Sequence, residues 1–198
     1  MNERLLQQLV DLGRQDEETR TRLLKEGRLY EGYAPEMEQV HLENATRLQR
    51  IVDEHGWPGT SLVGEEGAQA AWLIAQHAIS NPAFQQASLV HITQAVQTNE
   101  VPPTYFAFLT DRILFNQRKP QQFGTVFDWD EDDEISPWPI EDEDNVDKRR
   151  ASVGLPPLEN AVATMRQETA IEGNAPTKSY AKRQQEVEEW ARRVGWIE

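Results

Sequence analysis

Residues 68–79, AQAAWLIAQHAI, decide the fold class. Nine of these twelve residues are apolar, and at 3.6 residues per turn they surround a helix rather than line one face of it. Such a helix is expected at the centre of a helical body, covered on most sides. Its polar members are Gln69, Gln76 and His77, at spacings of seven and eight that predict one shared stripe. A buried amide or imidazole must be hydrogen-bonded or face a wet cavity, because leaving it unsatisfied costs about 1–3 kcal/mol.

Working outward, Asn81-Pro82 restarts the chain: Asn81 suits a helix cap, and Pro82 fits a first turn that needs no N–H. That helix is predicted to reach about 97. Pro102-Pro103 opens another, to about 116. Phe123, Thr125 and Phe127 then alternate with Gly124 and Val126, a strand signal. Ile135 to Ile140 is the candidate partner, confined by Pro137 and Pro139 to an edge. Upstream, apolar spacing predicts a helix over about 65–79, another over 35–55 and a third over 2–27, with a turn at Trp57-Pro58-Gly59. Helical pattern returns at about 144–153 and 157–169. Gly173 to Thr177 reads as a linker before a last amphipathic helix, 178–194. The expected fold is mainly α: a single helical domain over 1–198, with about seven to eight helices and one small β-hairpin or edge strand pair near 121–140.

The chain has 198 residues, 38% of them hydrophobic and 27% charged, too apolar for wholesale disorder. Its longest apolar runs are broken too early to span a bilayer. The first twenty residues show no basic segment leading into an apolar one, so a cytoplasmic location is expected. The absence of cysteine excludes disulfides, thiolate metal sites and thiol catalysis. Net charge is −14, yet residues 128–147 carry eleven carboxylates and no basic residue, leaving −3 for the other 178 positions. That distribution argues against nucleic-acid binding, which needs cations against phosphates. The segment reads as a solvated acidic flap or as a dock for a basic partner. A third reading, a calcium loop, is poor: Asp128, Asp130 and Asp132 imitate the first ligands, but Asp133 and Pro139 stand where a glycine and a bidentate glutamate belong.

The helix 103–116 sets Asp111 and Arg112 between the apolar blocks Tyr105–Leu109 and Ile113–Phe115. Two such charges pair internally or point into a cleft. Together with Gln121 and Thr125 they nominate a polar pocket shared with Gln76 and His77. In it His77 would move a proton, Asp111 would orient it or bind a cation, and Arg112 would hold a carboxylate or phosphate in its planar fork. The plain alternative is that His77 is a satisfied core group and Asp111–Arg112 an internal strut. Glu38-x-x-His41 matches half of a di-iron motif, but no second copy exists, and no metal ligand set or cofactor is expected. His91 reads as core. No metalloprotease, nucleophile-elbow, phosphate-loop or dinucleotide motif occurs.

The segments GWPGTSLVG (56–64), AAWLIAQHA (70–78), NPAFQ (81–85), LTDRI (109–113), QQFGT (121–125) and DKRRASVGLPPL (147–158) together resemble an uncharacterised bacterial domain-of-unknown-function family. The resemblance covers about 40–158 and implies recurrent polar positions at Gln76, His77, Asp111, Arg112, Gln121, Thr125 and Arg149. It implies no activity. The acidic insert after Phe127 departs from the pattern. The functional expectation is a small metal-independent enzyme acting on a small polar or anionic molecule or a peptide side chain. His77, Asp111 and Arg112 would be catalytic, and Gln76, Gln121, Thr125 and Arg149 would hold the substrate. The alternative is a non-catalytic adaptor or immunity-type protein that binds a basic partner through 128–147.

Overall fold

The computed structural model describes residues 1–29, 32–172, 176 and 178–198. Among them are eight α-helices and a two-stranded antiparallel sheet: α1 (Glu3–Lys25), α2 (Pro35–His55), α3 (Thr60–His77), α4 (Pro82–Gln97), α5 (Pro103–Asn116), β1 (Phe127–Trp129), β2 (Ile135–Pro137), α6 (Val146–Ser152), α7 (Leu158–Glu172) and α8 (Tyr180–Val194). The mainly α class with a small hairpin is as the sequence predicts. The chain divides into two compact units, Met1–Tyr105 and Phe106–Glu198. The predicted linker Gly173–Thr177 lies outside the described residues apart from Pro176. No described helix is long and apolar enough to cross a membrane.

In the first unit α1 packs on α2 and α3. Leu5, Leu9, Leu12 and Leu23 form the buried stripe of α1, and Leu48, Val63, Ala71, Ile74 and Ile92 are buried with at most 2% exposure. Asn2 caps α1 by accepting from Leu5 N at 3.2 Å, and Asn81 caps α4 by accepting from Phe84 N at 3.2 Å, as its sequence position predicts. Helix α3 begins earlier than its periodicity suggests. A first turn from Thr60 meets the main helix across Gly64, whose φ of +72° breaks the helical run. The expected polar stripe of α3 is split: Gln76 is buried, Gln69 is exposed and His77 lies between.

In the second unit the strand expected from Phe123 starts only at Phe127, which pairs with Pro137. Residues 121–126 are instead a loop, because Asp111 draws their N–H groups to itself and Gly124 turns at φ +66°. The acidic segment is braced by the unit's own side chains. Arg166 Nε donates to Ile135 O at 3.0 Å, Arg183 Nη2 to Trp129 O at 3.1 Å and Gln184 Nε2 to Asp128 Oδ2 at 2.9 Å. The carboxylate of Asp130 is spent on the hairpin turn, accepting from Asp132 N, Glu134 N and Ser136 Oγ at 2.7–3.0 Å.

Candidate active site

Three helices of the first unit bring Asp16, His41 and His77 together. On α1 the buried positions run Leu5, Leu9, Leu12, Asp16 and Leu23, so Asp16 occupies a helical-spacing position where a leucine belongs. On α2 His41 stands likewise between Met37 and Leu48. His77 is the last residue of α3. That helix stops there because buried Gln85 donates Nε2 to the carbonyls of Ala75 at 2.7 Å and Gln76 at 3.1 Å, taking acceptors a further turn would have used.

The carboxylate of Asp16 is the hub. Its Oδ2 lies 2.7 Å from His77 Nδ1 and 3.3 Å from His41 Nε2. His41 Nδ1 in turn meets the Tyr33 hydroxyl at 2.6 Å, and the rings of His41 and His77 are 5.2 Å apart. Side-chain exposure is 11% for Asp16 and His41 but 39% for His77, so the cluster is closed on one side and open at one imidazole. Burial acts to raise the Asp16 carboxyl, but its close approach to the two imidazoles, His41 and His77, outweighs burial and holds it well below the usual carboxylate range. Burial, with the nearby charges of Glu38 and Asp16, pushes the Tyr33 phenol far above its ordinary value, so it keeps its proton. A groove of this unit, about 1000 Å³ and bordered by Arg4, Gln8, Arg47 and Arg50, includes none of the three cluster residues.

Asp111, Gln121, Thr125 and Arg149 meet in the second unit, around a loop. The fully buried Asp111 accepts from Gln122 N (2.7 Å), Phe123 N (3.0 Å), Thr125 N (3.0 Å) and Thr125 Oγ1 (2.9 Å). Burial raises its carboxyl against these donors, each of which favours the ionised form. The carbonyls of the same loop are taken by two arginines: Arg149 Nε donates to Gln122 O at 2.7 Å, and Arg150 Nη1 to Phe123 O at 2.6 Å and Gly124 O at 3.0 Å. Gln121 spends its amide on Val126 N, Val126 O and Trp138 O. Every loop peptide group from 122 to 125, other than the N–H of Gly124 and the carbonyl of Thr125, thus ends on Asp111, Arg149 or Arg150. These residues act as a clamp on the chain, and the carboxylate bonded to His77 is Asp16, not Asp111. Arg112 keeps a buried Nε without a hydrogen bond, and burial lowers its pKa against the charge of Asp111.

Asp16 is not singled out by the sequence, and His41 enters only as half of a di-iron motif without a second copy. Both carried a signal: each is a polar residue on the apolar stripe of an otherwise amphipathic helix. The fold and the cluster define a mainly helical protein with a carboxylate–imidazole centre in its N-terminal unit. The chain belongs to a family of unknown function, DUF6624, whose model matches residues 4–172 and so takes in Asp16 as well as His77. No curated protein and no solved structure matches it.

Proposed function

We propose that this chain is an enzyme acting on a small polar or anionic molecule or a peptide side chain, with its reaction centre at Asp16, His41 and His77. One observation carries the reading: a partly exposed imidazole held through Nδ1 by a buried carboxylate at 2.7 Å. That bond fixes the ring and leaves Nε2 of His77 as the atom that takes a proton from substrate and returns it. Hydrolysis, elimination and cyclisation all use such a step. Residues Asp111, Gln121, Thr125 and Arg149 then support the second unit rather than touch substrate. We place the reaction in the cytoplasm, a reading that the lack of cysteine supports.

The test is a panel of chromogenic esters, phosphoesters and amides offered to the purified chain. Turnover lost by at least a hundredfold in His77→Gln, with the circular dichroism spectrum retained, is expected. Turnover unchanged in that variant overturns the reading. The alternative, a non-catalytic protein that binds a basic partner through 128–147, is tested separately with a lysine-rich peptide. Deleting the segment is unsuitable, because Gln121 is bonded to the backbone of Pro139 and Glu141. Glu131→Gln, Asp132→Asn, Glu143→Gln and Asp144→Asn together remove four of its eleven charges without that damage, and salt-sensitive binding weakened in this variant would favour the docking role.

A further inference from the structure

We propose that Asp16 Oδ2, His41 Nε2 and His77 Nδ1 form a binding site for one divalent first-row transition cation of the zinc(II) type. The three donor atoms lie within 4.8 Å of one another, and the carboxylate oxygen is 2.7 Å from one imidazole nitrogen and 3.3 Å from the other. A cation about 2.0–2.1 Å from nitrogen and oxygen ligands holds them about 3.0–3.4 Å apart, close to the 2.7 and 3.3 Å that already separate the carboxylate oxygen from the two imidazole nitrogens.

A second observation points the same way. His41 is nine-tenths buried, and its Nε2 has no hydrogen-bond partner although it faces the Asp16 carboxylate. On the opposite edge of the ring, Nδ1 meets the Tyr33 hydroxyl at 2.6 Å. In the tautomer that donates its Nδ1 proton to the phenol oxygen, Nε2 carries a lone pair toward an anion, an arrangement that a cation satisfies. Metal-bound imidazoles are oriented in this way, through an oxygen on the outer nitrogen. Two nitrogens and one carboxylate oxygen suit zinc, iron(II), cobalt or nickel rather than calcium or magnesium, which take oxygen ligands. Three protein ligands leave coordination positions for water or an anionic group.

The inference goes beyond the acid–base reading and does not depend on it. A cation takes the carboxylate oxygen and displaces the Nδ1 proton that holds His77 in the metal-free form, so the loaded centre is a second state in which the imidazole proton sits on Nε2 and that atom no longer serves as the base. Titration calorimetry with ZnCl2, and the visible spectrum of the Co²⁺ form, read binding on the full chain without any substrate. One equivalent is expected, with affinity reduced at least tenfold in His41→Gln and in Asp16→Asn and no displacement by excess Mg²⁺. His77→Gln, at a half-exposed position, gives the same loss without risk to the fold. Absence of binding to the parent chain, or binding unchanged in all three variants, overturns the site. Either result leaves the acid–base reading standing. Conversely, turnover insensitive to His77→Gln in a chain that binds one zinc sinks the acid–base reading alone.

Discussion

Asp111 takes four donors into one buried carboxylate, and three of them are backbone N–H groups. Asp111→Ala orphans all four, and the expected loss is about 3 kcal/mol or more, read as a fall in the urea midpoint. Thr125→Val removes only the hydroxyl donor and should cost about 1 kcal/mol in the same assay. Gly124 sits at φ +66°, with the space for a Cβ filled by Leu158 Cδ1 at 2.7 Å and Ile140 Cδ1 at 3.1 Å. Gly124→Ala is therefore expected to destabilise by about 1–2 kcal/mol through backbone strain and the shift of Leu158 together. A midpoint unchanged in Gly124→Ala would show that the loop reaches its shape without that turn. At this scale the sequence was half legible. An aspartate and an arginine between apolar blocks had to be engaged, but their partners lay 11 to 14 residues away for Asp111, in a loop whose alternation imitates a strand.

On α1 the stripe Leu5, Leu9, Leu12, Asp16 and Leu23 places an ionised group where packing alone asks for a hydrocarbon. Such a substitution of polar for apolar is a cost that the proposed reaction centre would explain. Asp16→Leu should thus fold with a thermal midpoint no lower than the parent chain, while losing both turnover and zinc binding. A large drop in midpoint would instead make Asp16 a structural tie. On α4, Gln85 holds the carbonyls that end α3. Gln85→Leu is expected to cost about 2 kcal/mol and to move the ring resonances of His77, which a proton–nitrogen spectrum reports. Element boundaries were legible where local chemistry sets them, as at Asn81-Pro82. They were illegible at α3, where Gly64 joins a short turn to the main helix, and at residues 121–126, where a remote carboxylate overrides a local strand pattern.

For the molecule as a whole, eleven carboxylates over 128–147 repel one another at low ionic strength, and the second unit answers with Arg149, Arg166 and Arg183. Exposed pairs of this kind contribute about 0–1 kcal/mol each, too little to cancel the repulsion. The thermal midpoint should rise as NaCl increases from low to physiological concentration. The fourfold neutral variant at Glu131, Asp132, Glu143 and Asp144 should show a smaller salt response. An equal response in both chains would place the repulsion elsewhere. Helical class, the small hairpin, most helix positions and the isolation of charge in one segment were written in the sequence, because periodicity, caps and charge are local properties of the chain. The meeting of Asp16, His41 and His77 from three helices, and the closing of Asp111 and Arg150 on one loop, were decided only by tertiary packing. Residues 25 to 61 positions apart have no local signal for one another, and only the burial of leucine stripes against each other brings their polar interruptions to a common point.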